Sequence, residues 1–305
     1  MEPPSGPARK PPTALAVHLT LFAVQVAFAS LAVAGKKATA VVTPEVVSFV
    51  RVAGATLIFG ALHLWRRGFP RIAPRDLALI AVASACGIAA NQLLFLNGLQ
   101  RTLAINATVI GATIPVFTVL VAVAARQERI RASVLIGVLI SLSGVLYLVG
   151  GDFRFGGETS VGDLLIVTNS LCYAVYLVLV RGLIARYGAE AVITVAFAFA
   201  VLFVAPFAFR DLGALAKVDA RTAWLLVYIV ISPTAFTYLA SAWALTHTRA
   251  TVVGIYVYVQ PVFATVMAMY FLGEHLDRRI AVAAALVFAG IALVSWPRQD
   301  QARAT

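Results

Sequence analysis

Residues 115–128 read PVFTVLVAVAARQE, and residues 261–274 read PVFATVMAMYFLGE. Both stretches open on Pro-Val-Phe and close on Glu, 146 residues apart. They sit in apolar surroundings, where a proline costs a backbone hydrogen bond and a carboxylate costs solvation. The same register continues outward without a gap: Leu99 aligns with Leu245, Thr102 with Thr248, Ala104 with Ala250 and Gly144 with Gly290. An offset of 145 aligns Phe28 with Tyr173, Lys36 with Arg181 and Glu45 with Glu190. The pattern predicts one unit written twice.

The 305 residues are 61% hydrophobic and 12% charged, with a mean hydropathy of +0.93, far more apolar than one soluble core requires. A span of hydrocarbon takes about 20 apolar residues, and the backbone's hydrogen bonds force each span to be helical. Ten spans are predicted, at 13–34, 44–64, 76–97, 102–124, 131–150, 162–183, 190–209, 222–245, 250–271 and 279–296. The expected fold class is an all-α membrane protein of ten transmembrane helices arranged as two inverted five-helix repeats. Five is odd, so the second copy enters the membrane from the opposite face. The organisation follows: a disordered cytoplasmic tail at 1–12, a first repeat at 13–150, a second at 162–296 and a C-terminal tail at 297–305.

The net charge of +11 is spread over short gaps between apolar runs and forms no stripe or tail, which argues against nucleic acid as a partner. Lys and Arg favour one side of the membrane in the first half, although this bias is absent from the second. The expected placement is therefore multi-pass in the plasma (inner) membrane with both termini cytoplasmic. Cys86 and Cys172 lie in apolar runs and form neither a disulfide framework nor a metal motif. No cofactor and no metal are expected.

Pro115 and Pro261 should bend their helices and free the carbonyls of Gly111 and Val257. Thr108 and Gly111 share a face with Thr118, a slot of small and weakly polar atoms. Gln25 in the first span, Asn91 and Gln92 in the third, Asn169 and Tyr173 in the sixth, Thr237 and Tyr238 in the eighth, and Tyr258 and Gln260 in the ninth place polar groups near midplane. Facing lipid they would lack partners, so they are expected to turn inward, as a pocket for a small amphipathic molecule or as interhelical ties. Arg51 is expected to snorkel, its stem running toward the interface. Glu128 and Glu274 close the short hairpins after the fourth and ninth spans, as solvated turns or gating contacts. No carboxylate is expected deep in a span, which argues against coupling through a membrane acid.

The paired Ala-x(10)-Pro-Val-Phe segments with their closing Glu, the glycines at 137, 144 and 290, and the run NQLLFLNGLQRTLAINATVIGATIPVF at 91–117 are similar to the EamA family of the drug/metabolite transporter superfamily. The resemblance covers residues 13–296. It implies a carrier that moves small metabolites, often amino acids, usually outward through a central cavity by alternating access. It implies pathway positions at Asn91, Gln92, Pro115 and Pro261, and hairpin signatures at Glu128 and Glu274. Small multidrug members of that superfamily rely on a Glu in their first helix, and residues 15–35 contain none, which speaks against proton-driven drug antiport.

The expected partners are a small-molecule substrate and membrane lipid, and the expected working unit is a monomer. The leading reading is export of an amino acid or a related neutral or zwitterionic compound. A sugar-phosphate or nucleotide-sugar exchanger and a non-transporting receptor stay open. Enzymatic motifs such as HExxH are absent from the sequence, so an enzyme is not expected.

Overall fold

The computed structural model describes residues 13–68, 70–126, 132–150, 158–245, 247, 256 and 259–295. The two tails, Glu128 and Tyr258 lie outside these residues. Helices α1 (Ala14–Thr39), α2 (Pro44–Arg67), α3 (Pro74–Arg101), α4 (Ala104–Ala124) and α5 (Ala132–Gly150) form the first half. In the second half α6 (Glu158–Tyr187) and α7 (Ala189–Ala208) are followed by a short 3-10 turn at Leu212–Lys217. Next comes α8, which starts as Ala220–Val230 and ends as Thr237–Leu245. The described part of α9 is Gln260–Leu272, and α10 is Arg278–Ser295.

Local signals set these boundaries. Pro44 and Pro74 occupy first turns, where their missing N–H would be unpaired anyway. Thr13 caps α1 by accepting from the Ala16 N–H at 3.3 Å, and Asp219 caps α8 by accepting from the Thr222 N–H at 3.0 Å. The hydroxyl and then the backbone N–H of Thr222 hold the Asp219 carboxyl below its ordinary range. Gly188, at φ 80°, makes the one-residue turn between α6 and α7, a conformation other residues adopt only with strain.

Seven helices among the described residues are long and apolar enough to cross a membrane: α1, α2, α3, α4, α6, α7 and the span Ala220–Ser241 of α8. The outward faces of these helices and of α5 and α9 carry exposed leucines and valines such as Leu57, Leu146, Leu202 and Val266. Trp65, Phe209, Trp224 and Tyr270 stand exposed near helix ends, where aromatic rings favour the headgroup region. This surface belongs in lipid, and the chain is an integral multi-pass membrane protein.

The helices pack in related pairs. α5 lies along α10, and α2 lies along α7. α6 packs on α3 and α4, and α1 packs on α8 and α9. Exchanging the labels 1–5 with 6–10 turns the second set of contacts into itself and leaves the first two pairs unchanged. The interior is built from small and β-branched residues, which let backbones approach where no water-driven force presses apolar helices together in lipid.

Candidate functional site

Three irregularities mark the middle of the helical array. α3 contains a π-helical turn at Ala85–Ala90, and α8 contains one at Ile231–Phe236, 146 residues later, in the register of the repeat. Such turns widen a helix by one residue, shift the face that follows, and concentrate at functional sites. Gly87, inside the first turn, lies so close to α6 that an added Cβ would fall 2.0 Å from the Tyr176 Cβ. Only glycine permits that approach.

The third irregularity lies in α4. The helix stops at Gly111 and resumes at Ile114, with Pro115 in the new first turn and the Phe117 N–H donating to the Thr113 carbonyl at 3.1 Å. Proline therefore interrupts α4 over two residues. In α9, Pro261 stands buried in the first turn of Gln260–Leu272, and the carbonyl of Val257 lies outside the described residues. A Cβ added to Gly111 would meet nothing within 4 Å, so open space borders the break.

The residues singled out from the sequence divide into three groups. Gln25 and Gln92 are buried, and the side-chain oxygen of each lacks a hydrogen-bond partner among the described residues. Asn91 and Asn169 hold each other: Asn169 Nδ2 donates to the Asn91 carbonyl at 2.7 Å, and Asn91 Nδ2 donates back to the Asn169 carbonyl at 3.4 Å. That exchange ties α3 to α6 at the end of the first π turn. Thr108 and Thr237 turn their hydroxyls onto their own helices, to the carbonyls of Ala104 and Ile105 and to those of Pro233 and Thr234. Gln260 is half-buried.

Tyr238 is the hub of the third group. Its ring meets Phe197 of α7 at 5.1 Å, Phe59 of α2 at 6.2 Å and Phe28 of α1 at 6.5 Å. Tyr173 stacks on Tyr176 at 5.7 Å, and both lie within electrostatic range of Tyr238. Tyr173 and Tyr238 are both half-buried.

Arg51 overturns its sequence expectation. The side chain does not snorkel: it is 5% exposed and turns inward, where Nε donates to Thr234 Oγ1 at 3.1 Å within the second π turn. Periodicity could have hinted at this, since Arg51 lies on the face of α2 that holds the buried Ser48, Val52 and Ala55. Phe59, Phe197, Tyr176 and Thr234 had no signal separating them from ordinary core. One carboxylate that the sequence reading did not single out is buried near a helix end. α6 begins earlier than the apolar run suggested, so Asp163 lies a turn inside it, 1% exposed and accepting a short hydrogen bond from the Thr102 hydroxyl.

Glu274 is no solvated turn. It is 7% exposed and reaches across to the start of α4, where Oε1 accepts from the Ala104 N–H at 2.8 Å and Oε2 from the Ile105 N–H at 3.0 Å. Lys36 of α1 donates to Oε1 at 3.1 Å and to the Thr102 carbonyl at 2.6 Å. A carboxylate at a helix N-terminus meets both unpaired N–H groups and the positive end of the dipole. One side chain thereby joins α1, α4 and the α9–α10 connection at a single end of the array.

A family model described as the EamA-like transporter family matches residues 15–150 and 160–296. Among curated proteins, an "Uncharacterized transporter" of Archaeoglobus fulgidus is 28% identical over 83% of this chain and 88% of its own length. A "Probable terminal-alkyne amino-acid exporter" of Streptantibioticus cattleyicolor is 27% identical over 75% of this chain and 76% of its own. A solved crystal structure with 22% identity superposes at a TM-score of 0.64, covering 92% of this chain and 98% of that one, a likeness of fold.

Proposed function

The chain belongs to the EamA-like transporter family, and from that membership we propose that it exports an amino acid or a related neutral or zwitterionic compound. Movement is through a central cavity, by alternating access between two inverted five-helix repeats that together supply ten spans. One observation carries the mechanism: two π turns in the same repeat register, on α3 and α8, bracket a set of buried polar and aromatic side chains. The exchange of helix pairs between the halves supports the inverted arrangement. The likeness to a protein named an amino-acid exporter supports the solute class. The bias of basic residues in the first half supports cytoplasmic termini in the inner membrane. An internally duplicated carrier contains both halves of its pathway, which supports a monomer acting on solute without chemical change.

Purified protein in proteoliposomes, offered a panel of labelled amino acids, is expected to move at least one down its gradient and return it unaltered. A receptor would bind without moving solute, and an enzyme would change it; either result rejects the proposal. Asn169→Ala removes the 2.7 Å tie between α6 and the first π turn. An interhelical hydrogen bond of about 1 kcal/mol sets the expected loss of uptake at roughly five-fold, with the melting temperature little changed. Unaltered uptake in that variant would detach the π turn from the transport cycle.

A further inference from the structure

Arg51 is a buried cation without an anion. Among the described residues it is the only buried Lys or Arg. The ion pairs among those residues join Lys36 to Glu274 and Arg186 to Asp76, the His63 ring lies 3.7 Å from Glu190, and none of these contacts involves Arg51. Thr234 accepts from Nε while its own hydroxyl donates to the Ile229 carbonyl at 2.8 Å, so its single proton is committed. The two terminal nitrogens of Arg51 are left without a partner among the described residues. A lone charge in a low-dielectric interior is costly, and such groups in membrane proteins mark solute pathways.

We propose that the Arg51 guanidinium, oriented by Thr234, is the anchor for the carboxylate of a monocarboxylate solute whose apolar part lies against the half-buried Tyr238 and Tyr173 rings. The assignment rests on the carrier reading above and names what that carrier recognises. A guanidinium pinned through Nε offers its remaining N–H groups as a fork, which fits the two oxygens of one carboxylate. A phosphate dianion needs further cations, and no second buried Lys or Arg is present among the described residues. Tyr238 stands four residues beyond Thr234 on α8, and it is the point where α1, α2 and α7 meet that helix, so an apolar wall lies next to the anchor. The carboxylate, rather than the ammonium, is then the obligatory group of the solute.

The test uses the full chain in lipid nanodiscs for binding and in proteoliposomes for uptake. The probes are L-phenylalanine, 3-phenylpropanoate, 3-phenylpropanamide and phenyl phosphate. Both carboxylates are expected to bind, and the amide roughly 10–100-fold more weakly, the weight of a charge-assisted pair. Arg51→Met keeps the stem and removes the charge, so it should abolish that preference while the melting temperature holds or rises. Arg51→Lys should keep part of it. The proposal is overturned if neither carboxylate binds, if the amide binds as well as the acid, if Arg51→Met retains the preference, or if phenyl phosphate binds best. Carboxylate binding that depends on Arg51 without uptake rejects the carrier and leaves the anchor. Uptake of amino acids that ignores Arg51 rejects the anchor and leaves the carrier.

Discussion

Glu274→Ala is expected to abolish uptake and to lower the melting temperature of the detergent-solubilised protein. The carboxylate accepts from two backbone N–H groups at the start of α4 and from Lys36, in a site where it is 7% exposed. Truncation leaves the Ala104 and Ile105 N–H groups unpaired and Lys36 without its counter-charge. Breaking a buried pair by removing one member costs about 3–5 kcal/mol, and the partial exposure of the Lys36 side chain, 26%, places this case near the lower end. Glu274→Gln keeps an accepting oxygen and loses the charge, so its effect should be smaller. Thermal melts and initial uptake rates read both variants. If Glu274→Ala melts and transports like the parent protein, the contact across α1, α4 and the α9–α10 connection is incidental.

Gly290→Leu should prevent α10 from seating on α5. A Cβ at Gly290 would lie 2.3 Å from Ser141 Oγ, 2.4 Å from the Gly137 carbonyl oxygen and 2.6 Å from the Ser141 nitrogen. Two of those three neighbours are backbone atoms, so no rotamer change relieves the clash and the helices must separate. Separation also breaks the 3.1 Å hydrogen bond from Ser141 Oγ to the Val287 carbonyl. Even Gly290→Ala should cost about 1–3 kcal/mol as overpacking, and leucine more. At Gly144, the repeat counterpart, the contacts begin at 2.9 Å, and alanine should be tolerated better. Gly60→Ala is the control: nothing lies within 4 Å of its Cβ, and alanine gains up to about 1 kcal/mol of helix propensity. A Gly290→Ala protein that melts with the Gly60→Ala protein would contradict the close approach of α5 and α10.

Much of the architecture was legible from composition and self-similarity. Long apolar runs predicted helices close to the observed α1, α2 and α7, whereas the π turns of α3 and α8 carried no signal of their own, although they lie at the same offset of 146 as the two Pro-Val-Phe segments. Proline at 115 foretold the interruption of α4. Of the two roles left open for the polar residues, pocket or interhelical tie, Asn91 and Asn169 make a mutual tie between α3 and α6.

The sequence by itself determined that the chain is built of long apolar helices, that its Pro-Val-Phe segment recurs 146 residues on, and that charge is rare within the apolar runs. These follow from the length of hydrocarbon to be crossed and from the backbone's need for hydrogen bonds, both properties of one segment at a time. Only the tertiary structure decided that Arg51 turns inward to Thr234 and that Glu274 reaches α4. The physical reason is that lipid is as apolar as the interior, so a membrane helix that is hydrophobic all round does not announce which face meets its neighbours. Where a polar side chain points is then settled by which helices come together around it.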